Sequence, residues 1–196
     1  MRYPVACLGR MPRTLAMVGI ALFATGSLAT DIEWQHRAVH DTVSLMANPL
    51  GAASRISFYE GRGFASSAIE PYAQACGFSF GMLNEGSEAI VTQLQSWRAI
   101  GADGEEISLR PPEEWEADWL DANIPEPARI AFRWAQFQSE ITFEPGDWIM
   151  GMATLTSAPK PPFRILARYR DNKGDHELQL DKLHCADCLL YTSRCV

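Results

Sequence analysis

Past its first 29 residues the chain has no apolar run near the ~20 residues that a bilayer crossing needs, so no spanning helix is expected in the mature part. Basic residues are scarce: Lys and Arg number 17 against 24 Asp and Glu. Three of them, Arg2, Arg10 and Arg13, fall in the opening segment; setting these aside leaves 14 against 24, a formal charge of −10. Such a balance excludes nucleic acid as a natural partner and disfavours anionic membrane surfaces, because both require a basic face. Catalytic signatures are missing as well. There is no Gly-x-Ser-x-Gly elbow, and Arg37 follows His36 where a zinc hydrolase would carry Glu. No internal repeat or low-complexity tract is present. Cysteine is sparse, five in all, and Cys7 lies ahead of the leader's apolar run, where acylation of a lipoprotein does not occur.

What is present begins with that leader. Its arginines precede the apolar and small-residue run from Leu15 to Ala24, and Ser27-Leu28-Ala29 has the small-x-small pattern cut by a signal peptidase. Residues 1–29 are therefore expected to be a signal peptide, with Met1 or Met11 as the start, and the mature protein to be periplasmic or secreted.

Periodicity divides the rest. Over residues 31–47, Ile32, Val39, Val43 and Met46 fall at helical spacing before Asn48-Pro49 stops the run. Further helix is expected over 54–60 and from the capping-box pattern Ser67-Ala-Ile-Glu70 to Ala75, so that 30–76 forms a helical extension. From Gly77 the period becomes two. Strands are expected over Phe78–Met82, Ala89–Trp97 returning beside it, Glu106–Leu109, Arg129–Phe137, Trp148–Thr156, Phe163–Tyr169 and Leu178–Leu180, with turns at Asn84-Glu-Gly-Ser, Ala102-Asp-Gly104, Glu144-Pro-Gly-Asp147 and Asp171-Asn-Lys-Gly174. One helix is expected over Glu113–Ala122. Short strands at this spacing point to a mainly β fold, an antiparallel immunoglobulin-like β-sandwich over 77–184 with an N-terminal helical extension.

The strand ending at Asn84, the following strand with Trp97, then Asp103-Gly104 and the later Phe143-Glu-Pro-Gly146 resemble extracytoplasmic immunoglobulin-like domains of bacterial secreted proteins. The resemblance covers residues 77–184. It implies a binding or assembly role without catalysis.

After His184 the alternation stops, leaving a tail over 185–196. Cys188–Val196 resembles translated sequencing-adapter read-through, the alternative being an ordinary frayed tail. The C-x-x-C of Cys185 and Cys188 has no helix after it to lower a thiol pKa, which argues against thioredoxin-like chemistry. Cys76 and Cys185 then bracket the strand-rich region and are expected to form one structural disulfide.

Candidate sites remain few. His36 and His40 would share one side of a helix, as a metal-binding pair must, and Met150 and Met152 have the spacing of a soft Cu(I) site. Trp115 and Trp119 are four apart on an acidic helix and either pack that helix onto the sandwich, the favoured reading, or form an exposed aromatic ridge for a partner or a sugar ring, whereas Trp97, Trp134 and Trp148 on expected strands are assigned to the core. The carboxylates Glu140, Glu144, Asp147, Asp171 and Asp175 lie beside turns, and Arg164, Arg168 and Arg170 line one strand face. The resulting expectation is an exported, non-catalytic accessory or binding module of the bacterial cell envelope, without cofactor, whose partner is another envelope protein. The alternatives are a periplasmic copper- or zinc-handling protein and a carbohydrate-active hydrolase.

Overall fold

Strict alternation produces the best-defined pair of strands. β9 (Phe163–Asp171) turns Phe163, Ile165, Ala167 and Tyr169 inward and Arg164, Arg168 and Arg170 to solvent; β10 (Gly174–Leu183) answers with Leu178, Leu180 and Leu183. The outward arginines meet acids on β10, Arg168 with Glu177 at 3.2 Å and Arg170 with Asp175 at 2.6 Å. These are exposed pairs of small energetic weight. The computed structural model describes residues 32–186; the expected signal peptide, with both possible starts and Cys7, and the segment Cys188–Val196 lie outside the described residues.

Ten strands and four helices make up the described chain. The others are β1 (His36–His40), β2 (Val43–Pro49), β3 (Gly77–Asn84), β4 (Ile90–Gln93), β5 (Arg98–Ile100), β6 (Glu106–Arg110), β7 (Glu140–Phe143) and β8 (Trp148–Leu155), with helices α1 (Ala52–Glu60), α2 (Ser66–Gln74), α3 (Pro112–Asp121) and α4 (Glu126–Ala135). The strands hydrogen-bond along one path, β1-β2-β3-β8-β6-β5-β9-β4-β7, with β10 on β9, and every pairing between named strands is antiparallel. The fold is therefore mainly antiparallel sheet. β4 and β5 lie on the same side of β9, separated by a 3-10 turn at Leu94–Ser96, so they behave as one strand interrupted midway. The sheet bends until its parts face each other: Phe78 of β3 meets Phe163 of β9 at 6.0 Å, and Phe80 meets Trp97 at 5.5 Å. Trp97 is fully buried and donates its indole N–H to Thr92 Oγ1 at 2.9 Å. β1 also comes alongside β10, yet among the described residues no ladder joins those two strands.

Three expectations are corrected. Residues 31–47 are not helical: β1 and β2 form a hairpin whose two-residue turn, Asp41-Thr42, holds Asp41 at φ 51°, a left-handed conformation that Asp tolerates. Val43–Ala47 is buried residue after residue, so a run covered on both faces shows no strand period. Because β2 pairs with β3, residues 36–49 belong to the sheet, and among the described residues of the expected extension helix is confined to 52–60 and 66–74. Second, Arg129–Phe137 is not a strand. Its alanines favour helix, Pro125 and Pro127 flank the start, and Glu126 and Arg133 suit the two ends of the helix dipole, giving α4. Third, β4 does not return beside β3; it pairs with β7 and β9, while β3 pairs with β2 and β8. Asn84 explains the departure. Its buried amide donates to Glu88 O at 2.8 Å and to Phe143 O at 3.1 Å, pinning the turn after β3 to the one after β7.

The helices build a second apolar cluster on the outer face of β8, from Tyr59, Phe64, Ile69, Tyr72, Trp115, Trp119, Ala128 and Phe132. Gln136 links its tyrosines, donating to Tyr59 Oη at 2.6 Å and accepting from Tyr72 at 3.0 Å, while the buried indole N–H of Trp119 has no hydrogen-bond partner among the described residues. Buried Arg55 donates to the carbonyls of Tyr72 (2.9 Å) and Ala75 (2.5 Å), where a cation suits the end of α2. Directly after that helix Cys76 meets Cys185 in disulfide geometry, with Cα atoms 5.2 Å apart.

Candidate functional site

The proposed metal pairs lose their common geometry. On a strand, residues four apart are separated by roughly 13 Å, so His36 and His40 of β1 cannot both approach one ion at ~2 Å. His40 instead closes the gap between β1 and the β9–β10 hairpin. Its Nδ1 is hydrogen-bonded to Tyr169 Oη at 2.7 Å, and its ring centre is 5.2 Å from that of His176. His176 stacks on Tyr169 and bonds Asp171 Oδ1 at 2.8 Å. Met150 and Met152 do share a strand face, but in unlike surroundings: Met150 is in solvent, whereas Met152 lies under the helices and accepts the Tyr59 hydroxyl on its sulfur at 3.7 Å. Among the described residues no group of three His, Cys, Asp or Glu converges as a metal-binding set. No helix among them is long and apolar enough to cross a membrane.

All three described tyrosines resist ionisation. Burial and then the charges of Asp41 and Asp171 push Tyr169 up to about 12. Burial also holds Tyr59 and Tyr72 well above the ordinary phenol value of 10.0. A raised acid pKa stabilises the fold fully below the unfolded value and ceases to do so as the pH climbs through the folded one. Stability is thus expected to fall between pH 10 and about 12 at Tyr169. An ultraviolet titration checks this: near pH 10.5 Tyr59, Tyr72 and Tyr169 should contribute little phenolate signal in the folded protein, and full ionisation of these three would refute it. Asp171 is shifted the opposite way, held below the ordinary carboxylate range chiefly by its hydrogen bond from His176.

The helix of Trp115 and Trp119 packs inward and presents no exposed ridge, Trp97 lies in the core, and Trp134 and Trp148, assigned to the core, are exposed. Trp115 and Trp119 are buried, stacked on each other at 5.6 Å, and Trp115 donates to Thr154 Oγ1 at 3.0 Å. The aromatic ridge on α3 is therefore core, with Arg110 covering its edge 3.7 Å above the Trp115 ring. The exposed indoles are Trp134, 84% accessible, and Trp148, 48%. On α4 the core takes Ala128 and Phe132, one helical turn apart, and so Ile130 and Trp134 point the other way.

Two surfaces follow. The first is the end of the outer sheet face away from the helices, where Trp34 and Arg37 lie on Met46 and Ser44 and leave Trp148 and Met150 exposed. Register aligns Val39, Ser44, Leu83 and Trp148 in one row and Arg37, Met46, Gly81 and Met150 in the next. Val39, Trp148 and Met150 are exposed and Leu83 half-buried, while Trp34 lies over Gly81 beside Met46. Strand parity alone shows these residues on one face; that this face looks outward was hidden, because Met46, Leu83, Trp148 and Met150 make its side chains as apolar as those of the inner face. The second surface is a groove of about 640 Å³ between the start of α3, the outer face of α4 and residues 136–140, lined by Glu113, Ile130, Trp134, Gln138, Ser139 and Glu140 among others. By contrast, the turn-side acids are engaged locally: Asp147 accepts from Glu144 N–H, Asp171 from Lys173 and Gly174, and Asp175 from Arg170.

No family model matches the chain, and no curated protein is similar to it. The X-ray structure of Northeast Structural Genomics Consortium target SoR45 aligns at 10% identity over 83% of this chain and 87% of that chain, with a TM-score of 0.30, a likeness that bears on neither fold nor activity.

Proposed function

We propose that this chain is an exported, non-catalytic binding module of the bacterial cell envelope, periplasmic or secreted, whose partner is another envelope protein. The observation that carries the reading is an outer sheet face where Leu83, Trp148 and Met150 lie together beside Trp34, with exposed Val39 at the margin beyond the Arg37–Ser44 hydrogen bond. Clustered apolar side chains of this kind are uncommon on a surface that touches only water, and large aromatics carry most of the energy at protein interfaces. An immunoglobulin-like sandwich is part of this reading, supported by two parts of the antiparallel sheet packing across a common core. A binding role is favoured over metal handling because His36 and His40 stand too far apart, and over hydrolysis because Asp147, Asp171 and Asp175 are each held by local donors.

A photo-crosslinking amino acid at Val39, at the margin of the face, tests the proposal in cells that export the protein. A discrete adduct with an envelope protein is expected, and Trp148→Asp should remove it without changing the amount of folded protein. Absence of any adduct, or an adduct indifferent to Trp148→Asp, defeats the assignment of this face.

A further inference from the structure

We infer that the Trp134 groove is a binding site for a short stretch of neutral polysaccharide, a role independent of the sheet face. The argument starts from the indole. Trp134 is 84% exposed on a helix whose opposite face buries Phe132 against Tyr59 and Tyr72, so its platform is carried by a packed element yet turned outward. Beside it, one turn away, Ile130 adds a second exposed apolar group. An aromatic face in this position suits the C–H face of a pyranose ring, which is itself flat and apolar on one side and polar at its edge.

The groove's edge matches the remaining requirement. Ser139 donates its hydroxyl to Glu113 Oε2 at 2.5 Å, and Gln93 donates to Glu140 Oε2 at 2.8 Å. Each carboxylate is thereby fixed by one oxygen, and its other oxygen has no hydrogen-bond partner among the described residues. Two oriented acceptors, joined by the Gln138 amide, are what vicinal hydroxyls can donate to. Arg133, the cation of the groove's lining, is paired through Nε with Glu116 at 2.8 Å, and the carboxylates of Glu113 and Glu140 on the same rim make the lining acidic on balance, which disfavours a phosphate or sulfate. A volume of about 640 Å³ falls in the range of ordinary small-ligand sites. A helical peptide would need a series of apolar pockets at successive turns, whereas this groove offers one large platform and a polar margin. The chemistry selects an uncharged sugar chain.

The test uses the purified full chain, titrated with the tetramers of N-acetylglucosamine and of β-1,4-linked glucose and followed by calorimetry and tryptophan fluorescence. At least one should bind with a dissociation constant below ~5 mM. Trp134→Ala should weaken it by about tenfold or more, and Trp134→Tyr should retain most of the affinity because the flat ring is kept. Glu140→Gln should weaken it less, since an amide oxygen still accepts. The exposure of Trp134 means that its variants keep the parent melting temperature, so lost binding reports the site and not the fold. Failure of both sugars to bind, affinity unchanged in Trp134→Ala, or equal binding by a lysine-rich peptide that competes for the groove would overturn the inference.

Discussion

Replacing Gly151 with alanine is expected to cost about 3 kcal/mol of folding stability, read as a lower urea midpoint at unchanged slope. A Cβ on this residue would stand 2.3 Å from Phe137 N, 2.5 Å from Gln136 C and 2.6 Å from Gln136 O. All three obstacles are backbone, so no rotamer change relieves them. The segment cannot simply move aside either, because Phe137 N–H donates to Met152 O at 2.8 Å, its ring packs on Trp97 at 5.3 Å, and Gln136 ties Tyr59 to Tyr72. One methyl group therefore strains both apolar clusters. Gly51→Ala is the matched control, since a Cβ there meets nothing within 4 Å, and it should be near neutral. Similar midpoints for the two variants would show that residues 136–137 do not approach β8 so closely.

The second large effect concerns Cys76 and Cys185. Their sequence separation is 109 residues, and a cross-link closing a loop of that size restricts the unfolded chain enough to stabilise the fold by roughly 3–5 kcal/mol. The double variant Cys76→Ser, Cys185→Ser is expected to lose that much. Reductant should reproduce the loss slowly, because Cys76 is buried at the junction of α2 and β3. Equal denaturation midpoints in the presence and absence of reductant would show that the bond contributes nothing in solution. The cross-link fastens the end of β10 to the start of β3, two strands that share no ladder.

How far the sequence could be read depended on how one-sided each element's burial is. β9 and β10 alternate over long stretches, and Pro111-Pro112 followed by acids marks α3, so these were legible. α4 was not, because Ile130, Phe132 and Trp134 happen to fall two apart; the alanines at 128, 131 and 135 were the better signal. β1 and β2 were obscured for the opposite reason, since burial on both faces of Val43–Ala47 erases any period. Pairing was less legible than elements. Asn84 reads locally as a turn residue, but its amide reaches Phe143, and nothing in the intervening residues announces that β3 will seek β8. The candidate site suffered most. Exposure is decided by which face of an element the rest of the molecule covers, so the Trp115 pair went inside, and Trp134 and Trp148, assigned to the core, came out.

The approach of β1 to β10 is made by imidazole and phenol rings around His40, Tyr169 and His176, with no amide-to-carbonyl rungs between the two strands. A wall closed in that manner has a preferred crack line. Whenever the molecule breathes, the amino-terminal ribbon can tilt away while every rung elsewhere stays intact, and Val43 and Leu178 would be the first interior side chains wetted.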